Sequence, residues 1–299
     1  YANGYKPKTI ETRMGAVTVE IPQVRGLSFY PRSLEKGCRS ERALKLAVAE
    51  MYVNGVSTRR VKEITETLCG LEISSTQVSR CAAMLDEELE KFRKRPLGAF
   101  PYVFLDARYE KVRHDGQVID QALLVATGVN LEGKRELLGL SVSLSEAETH
   151  WRSFLQSLKE RGLHGVELFI SDNHSGLKAG RKAVFAGVAW QRCQFHFAQN
   201  AQSYVPKRHM RPEIAEAVRG IFAAPTREEA IDEAQRVAKR YKSAAPEFSA
   251  WLLDNVEECL QVYSEPRDFR QRLRTVNSLE VLNREIKRRT HVARIFPNK

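Results

Sequence analysis

The chain has 299 residues, with 48 lysines and arginines against 37 aspartates and glutamates, for a formal net charge of +11. That length allows two or three domains with a sizeable core, and the charge excess points to a polyanionic partner, nucleic acid first, with a merely basic soluble protein as the plain alternative. No apolar run is long enough to span a membrane, no signal peptide is visible, and five scattered cysteines (Cys38, Cys69, Cys81, Cys193, Cys259) fit a reducing, cytoplasmic compartment better than a disulfide framework.

The chain starts at Tyr1 without a Met and stops inside an apparent element at Lys299, which reads as trimming at both ends. Lys8 to Val24 alternates on both sides of Met14-Gly15 and predicts a β-hairpin whose second arm ends at Pro22. Gly26 to Gly37 is polar and irregular, a linker closing a segment over 1–37.

Three helical patterns follow over 38–98. Leu44, Ala47, Val48 and Met51 share a face, and Asn54-Gly55 stops that helix. Ser57 caps the next, where Val61, Ile64 and Leu68 share a face and Gly70 stops it. Ser74-x-x-Gln77 is a capping box for a longer third helix carrying Val78, Ala82, Leu85, Leu89 and Phe92. Two short helices and a longer one joined by tight turns predict a helix-turn-helix DNA-binding module or, equally by pattern, an ordinary three-helix packing unit. In the first reading Ser75, Thr76, Gln77 and Arg80 face bases and phosphates, and the basic run Arg59, Arg60, Lys62 favours DNA. Lys91 to Gly98 is a basic, Pro-containing linker and a domain boundary.

At Pro101 the period changes to that of strands. Tyr102 to Val112, Val118 to Val129 and Arg135 to Val142 read as three antiparallel strands, the first two joined by an Asp115-Gly116 turn. Ser145-Glu146 opens a helix with Trp151, Phe154, Leu155 and Leu158 on one face. The strand Val166 to Ile170 leads to Asp172, a helix follows through Leu177 and Val184, and a last short strand runs from Val188 to Gln191-Arg192-Cys193. Three antiparallel strands, helix, strand, helix, strand is the order of a ribonuclease-H-like mixed α/β core, here over 99–205. In that fold Asp106 and Asp172 face each other from neighbouring strands. Taken singly, an Asp at a strand end is as easily a helix N-cap.

From 206 to 273 no strand signal remains. Arg211 to Phe222, Thr226 to Tyr241 and Pro246 to Leu260 read as helices, an all-α insertion that interrupts the core. Trp251 lies in its third helix. Periodicity makes it core, while stacking on a base unpaired at a cleaved end is the functional alternative that keeps it among the candidate DNA contacts. The core resumes over 274–299 with a final helix capped by Asn277. Glu280 then falls in its first turn, at the head of a basic face holding Arg284, Lys287, Arg288 and His291.

Asp106, Asp172 and Glu280 are three carboxylates from distant positions, which is what two-metal phosphoryl transfer requires: a pair of Mg²⁺ ions ~3.5–4 Å apart, on oxygen ligands, clamping attacking and leaving oxygens. Mn²⁺ accepts the same environment. Cys193-x-x-His196 is half a zinc site that Cys259 and His209 would have to complete; without a second paired motif, packing and hydrogen bonding beside the carboxylates is the better reading. His174 either touches a metal-bound water or phosphate or is a satisfied surface histidine.

The stretch Leu168 to His196 resembles the signature of Mutator-type insertion-sequence transposases: Asp, then Gly-Leu, then an aromatic, then Gln-x-Cys-x-x-His, with Ala186 where that family usually has Pro or Thr. Val56 to Leu68, Leu105-Asp106-Ala107 and the block beginning Asn277-Ser278-Leu279-Glu280 resemble further blocks of the family. The resemblance implies a DDE set of Asp106, Asp172 and Glu280, hydrolytic nicking at element ends, and attack of the freed 3′-hydroxyl on another phosphodiester. It also implies binding of terminal inverted repeats and target DNA as a homodimer. Two other readings stand beside it. A transposase-derived DNA-binding protein without catalysis is opposed by the three intact carboxylates. A ribonuclease-H-like nuclease without strand transfer is opposed by the helical module and the insertion.

Overall fold

The computed structural model describes residues 2–12, 14–26, 30, 31, 34, 42–83 and 85–290. They fall into two units, one built from the chain up to Lys94 together with the stretch from Glu285, the other from Arg95 to Arg284. The expected linker over Gly26–Gly37 lies mostly outside the described residues, as do Cys38 and His291.

In the smaller unit, β1 (Ala2–Thr12) and β2 (Gly15–Val24) pair antiparallel around a turn that Gly15 makes at φ 103°. The strand does not end at Pro22, which pairs with Tyr5. Each strand of a two-stranded ribbon has one open edge, where a missing N–H is tolerated. Four helices follow: α1 (Arg42–Val53), α2 (Thr58–Cys69), α3 (Ser75–Ala83) and α4 (Asp86–Lys94). Ser57 Oγ accepts from the Arg60 N–H, and Gly70 closes α2 in the left-handed region at φ 63°. The capping box is complete, with the Gln77 N–H donating to Ser74 Oγ and the Ser74 N–H to Gln77 Oε1. Leu44, Val48, Val61, Leu71, Ile73 and Val78 form the core.

Two expectations fail here. Leu68 is 76% exposed and Thr65 is buried instead; its hydroxyl donates to the Val61 and Lys62 carbonyls, which makes burial tolerable. The long third helix is two. The Leu85 N–H bonds Ala82, three residues back, and the acidic Asp86 and Glu88 suit the amino end of a fresh helix. α4 then runs through Lys94, so half of the expected linker is helix, tied by Lys91–Glu88 (2.6 Å) and Arg93–Glu90 (2.9 Å).

The larger unit is a mixed α/β body on a five-stranded sheet in the order β5-β4-β3-β6-β7. β3 (Tyr102–His114), β4 (Gln117–Val129) and β5 (Arg135–Ser143) are antiparallel; β6 (Leu168–Ser171) and β7 (Ala189–Arg192) join parallel to β3. Alternation divides β3 between two faces. Val103 and Leu105 pack with Trp151, Leu155 and Leu177 of α5 (Glu148–Glu160) and α6 (Ser175–Val184). Phe104 packs on the other face with Leu273 of α11 (Arg267–Leu273), Leu279 of α12 (Asn277–Thr290) and Val276 between them. α7 (Gln194–Ala201), α8 (Arg211–Ala223), α9 (Arg227–Tyr241) and α10 (Pro246–Asn255) share a separate core around Phe197, Val218, Val237 and Phe248.

Helix α10 stops at Asn255 rather than Leu260, and the chain goes on as 3-10 turns, Val256–Cys259 and Gln261–Ser264. The backbone there is bonded to the sheet instead: Gln191 Nε2 donates to the Cys259 carbonyl and its Oε1 accepts from the Val262 N–H. Sequence periodicity leaves α7 and α11 unassigned because each is under three turns. Asn277 is the first residue of α12 rather than its cap, since the Leu279 and Glu280 N–H groups bond the Val276 carbonyl.

Helices α5 and α6 touch through Gly176 and Gly180, four apart on one face. A Cβ on Gly176 would meet the Glu146 carbonyl oxygen at 2.1 Å, and one on Gly180 the Trp151 Cβ at 2.8 Å. Ala is favoured over Gly in a helix by ~1 kcal/mol, but overpacking costs ~1–3 kcal/mol and here the obstacle is backbone. Gly176→Ala is therefore predicted to lower the melting temperature by several degrees; an unchanged calorimetric Tm would show that the two helices are free to separate.

Candidate active site

The larger unit brings Asp106, Asp172 and Glu280 into one neighbourhood through three elements. β3 and β6 run parallel in a constant register that ends at Phe104↔Ile170, two residues short of Asp106 and Asp172. Both carboxylates therefore come off the carboxyl-end side of that pairing, where open α/β sheets present side chains to ligands. The turn after β6 is held by a buried serine. Ser171 Oγ donates to the Asp172 carbonyl (2.9 Å) and accepts from Trp190 Nε1 (2.9 Å), and the Ser171 carbonyl accepts from the Cys193 N–H (2.7 Å).

Glu280 arrives on the first turn of α12, which Asn283 ties to β3. The Asn283 amide donates to Asp106 Oδ2 (2.8 Å), its carbonyl accepts from Arg108, and Asp106 Oδ1 accepts from the Ala107 N–H (2.9 Å). His196, near the start of α7, stands between the carboxylates, with Nε2 3.6 Å from Glu280 Oε1. Burial disfavours a charge on this ring, yet the neighbouring Cys193 side chain and the Asp172 and Asp106 carboxylates outweigh it and lift its pKa to about 9. Burial pushes Asp106 the other way, up to about 6, against the Ala107 N–H and His196; the charges of Asp172 and Glu146 add to the rise.

That rise marks negative charge crowded into a partly dry site. Glu280 Oε1, His196 Nδ1 and Asn283 Oδ1 are buried without a hydrogen-bond partner among the described residues. An all-carboxylate donor set with an orphaned oxygen suits a hard divalent cation in kind. Among the described residues no three His, Cys, Asp or Glu side chains stand closely enough to cage an ion by themselves.

Two residues beside the carboxylates escaped sequence reasoning. Asn283 was legible as the residue one turn beyond Glu280 on the same helix face. Glu146, half-buried, lies 3.7 Å from His174 and within electrostatic reach of Asp106; nothing in its local pattern separates it from an N-terminal helix glutamate. Cys193 is fully buried and its sulfur accepts the Val276 N–H (3.4 Å), which fixes the approach to α12.

The remaining candidates lie elsewhere. Arg59, Arg60, Ser75, Thr76, Gln77 and Arg80 are exposed on α2 and α3, with Arg60 paired to Glu63 (2.7 Å) and Gln77 engaged in its capping box. Arg284 and Lys287 are exposed on α12, and Arg288 is paired with Glu285 (2.7 Å). Trp251 is half-buried in the helical region, its ring 4.6 Å from Phe197 and stacked on Tyr204 at 5.0 Å.

Comparison with known proteins bears on the whole chain. Residues 1–299 match the family described as "Transposase, Mutator family". The transposase for insertion sequence element IS406 of Burkholderia multivorans is 52% identical over 300 residues, covering 100% of this chain and 77% of that protein. The transposase for ISRM5 of Rhizobium meliloti is 41% identical, covering 100% and 75%. That for IS256 in transposon Tn4001 of Staphylococcus aureus is 37% identical, covering 99% and 76%.

Proposed function

The chain belongs to the Mutator family of transposases, and from that premise we propose that it works as a DDE transposase with Asp106, Asp172 and Glu280 as its catalytic set. It binds the terminal inverted repeats of an insertion sequence, nicks the ends by hydrolysis, and joins the freed 3′-hydroxyl to a target phosphodiester. The observation that carries this reading is the convergence of two strand-borne carboxylates, delivered by parallel β3 and β6, on a third delivered by α12 after a helical insertion.

The sheet order β5-β4-β3-β6-β7 supports a ribonuclease-H-like core over 99–205 and 274–299, with the insertion at 206–273. Asp106, Asp172 and Glu280 would hold two Mg²⁺ ions, or Mn²⁺ in their place. The ions would supply charge stabilisation for in-line displacement at phosphorus. The protein's own part is positional. Asn283 fixes the Asp106 carboxylate, Ser171 and Trp190 fix the Asp172 turn, and His196 supplies a compensating positive charge beside Glu280. Separating this reading from a bare nuclease or an inactive DNA-binding relative takes a strand-transfer assay on labelled end DNA. Joined products support it; cleavage without joining, or binding alone, refutes it.

End recognition is assigned to a helix-turn-helix within 38–98, preceded by the hairpin segment 1–37, with the protein acting as a homodimer on DNA. The capped turn between α2 and α3 and the exposed polar head of α3 support it. Arg80→Ala is predicted to weaken specific and nonspecific DNA binding alike and to reduce the salt slope by about one. Unchanged affinity and slope would remove Arg80 from the interface. Among the described residues no helix is long and apolar enough to cross a membrane.

A further inference from the structure

A second cavity-borne site lies on the same sheet face as Asp106, at the other end of β3. Tyr102, Phe104 and Asp106 alternate onto one face, so Tyr102 stands four residues, roughly 13 Å at strand rise, from the carboxylate. Tyr102 lines a cavity of about 880 Å³ together with Arg135, Phe269, Arg272 and Asn277. That volume is in the range that holds a small ligand or a nucleotide.

The lining is basic and aromatic. The Arg135 guanidinium, which lines the cavity, sits 4.8 Å over the Phe104 ring. Burial pushes the Arg135 pKa below its ordinary value, and the nearby Arg272, which lines the same cavity, adds to the fall. Neither arginine has an ion-pair partner among the described residues, because the local carboxylates are committed elsewhere. Glu132 pairs with Lys134 (2.7 Å), Glu265 accepts from the Tyr102 hydroxyl (2.8 Å), and Glu136 accepts from the Asn130 amide (3.0 Å). Phe269 is 46% exposed and tilts against Tyr102 at 6.5 Å, an apolar ring left facing solvent beside paired cations. Asn277 opens α12, so the positive end of that helix also adjoins the cavity, one turn before Glu280.

Paired unneutralised arginines, a helix amino end and an open aromatic ring together match the chemistry of one ligand, a nucleotide with its phosphate and its base. We propose that this cavity seats an unpaired nucleotide of the DNA strand leading to the carboxylates, with its phosphate on Arg135 and Arg272 and its base against Phe269. The assignment rests on DNA being the substrate, as proposed above. A single strand is required because only an unstacked base presents a face to the ring. Seated there, the strand is anchored on the face and helix that carry Asp106 and Glu280, which sets which phosphodiester reaches them.

The test is fluorescence anisotropy of the 299-residue protein with a short labelled oligothymidylate, without divalent metal. Arg272→Glu is expected to weaken binding at least tenfold and to flatten the salt dependence. Phe269→Ala is expected to weaken it roughly fivefold to a hundredfold at every salt concentration. Lys182→Glu, the same charge change on α6 across the sheet, is expected to leave affinity within twofold; all three side chains are exposed, so folding is spared. Parent-like binding by Phe269→Ala, or equal weakening by Lys182→Glu, would overturn the proposal. A parent protein that binds the oligonucleotide through Arg272 and Phe269 yet never joins strands would sink the catalytic reading and leave the cavity assignment standing.

Discussion

Asp106→Asn, Asp172→Asn and Glu280→Gln are each expected to abolish nicking and strand transfer while leaving end-DNA binding within about twofold. An amide keeps the shape of the acid but removes a charge and a good ligand for a hard cation. On the proposed mechanism the metal would stabilise charge that develops only in the transition state, so its loss would fall on turnover. In the same proposal end binding is assigned to basic side chains on other surfaces, which these substitutions do not touch. The three act as a unit, and a double substitution is expected to be scarcely worse than a single one. Chelation of divalent metal is expected to mimic the substitutions, with Mn²⁺ restoring activity and Ca²⁺ restoring little, its larger and looser shell fitting the in-line geometry badly. Robust strand transfer by Glu280→Gln in Mg²⁺ would remove that residue from the set. Glu285, further along α12, has its carboxylate engaged by Arg288 and Arg289, each at 2.7 Å. Glu146, whose charge Asp106 already feels, becomes the next residue to substitute.

Arg192→Met is predicted to have the largest effect on stability. Arg192 is 2% exposed, at the end of β7 immediately before Cys193. Its guanidinium reaches Asn255 Oδ1 (3.1 Å) and Glu258 Oε2 (3.3 Å) and lies over the Phe197 and Trp251 rings at 5.1 and 5.5 Å. One side chain therefore joins the sheet edge to the helical region. Removing one partner of a buried ion pair costs ~3–5 kcal/mol, or roughly 6–20 °C of Tm at this size. Glu258 keeps Lys178 at 2.6 Å, which places the loss toward the lower end. Trp251→Ala is expected to lower Tm without DNA as well, since the ring packs between Phe197 and Tyr204, and its effect should be less than additive with Arg192→Met because the two groups touch. A fall of under ~2 °C for Arg192→Met would mean that the joint is carried by Gln191 alone. A Trp251→Ala protein that melts normally but cleaves poorly would restore the stacking role.

Much of this protein is local and was legible in the chain. The capping box at Ser74 and Gln77, the stop at Gly70, the Asp115-Gly116 hairpin and the strand-helix order through Cys193 each depend on residues within a few positions of one another. The Asp172 to His196 stretch and Glu280 stood out through their resemblance to a family signature, because motif spacing is a property of sequence. What the sequence missed is of two kinds. Some elements were too short for periodicity to declare: α7, α11, the break after Ala83, and the 3-10 turns from Val256 on. Others exist only as long-range pairings. That His196 stands beside Glu280, that Asn283 holds Asp106, that Arg192 binds the helical region to the sheet, and that Arg135 and Arg272 share a cavity with Phe269 are consequences of packing. Local preference fixes where a helix starts and which face is apolar. Which polar groups meet across elements is decided only when the apolar faces close and each buried charge must find a partner.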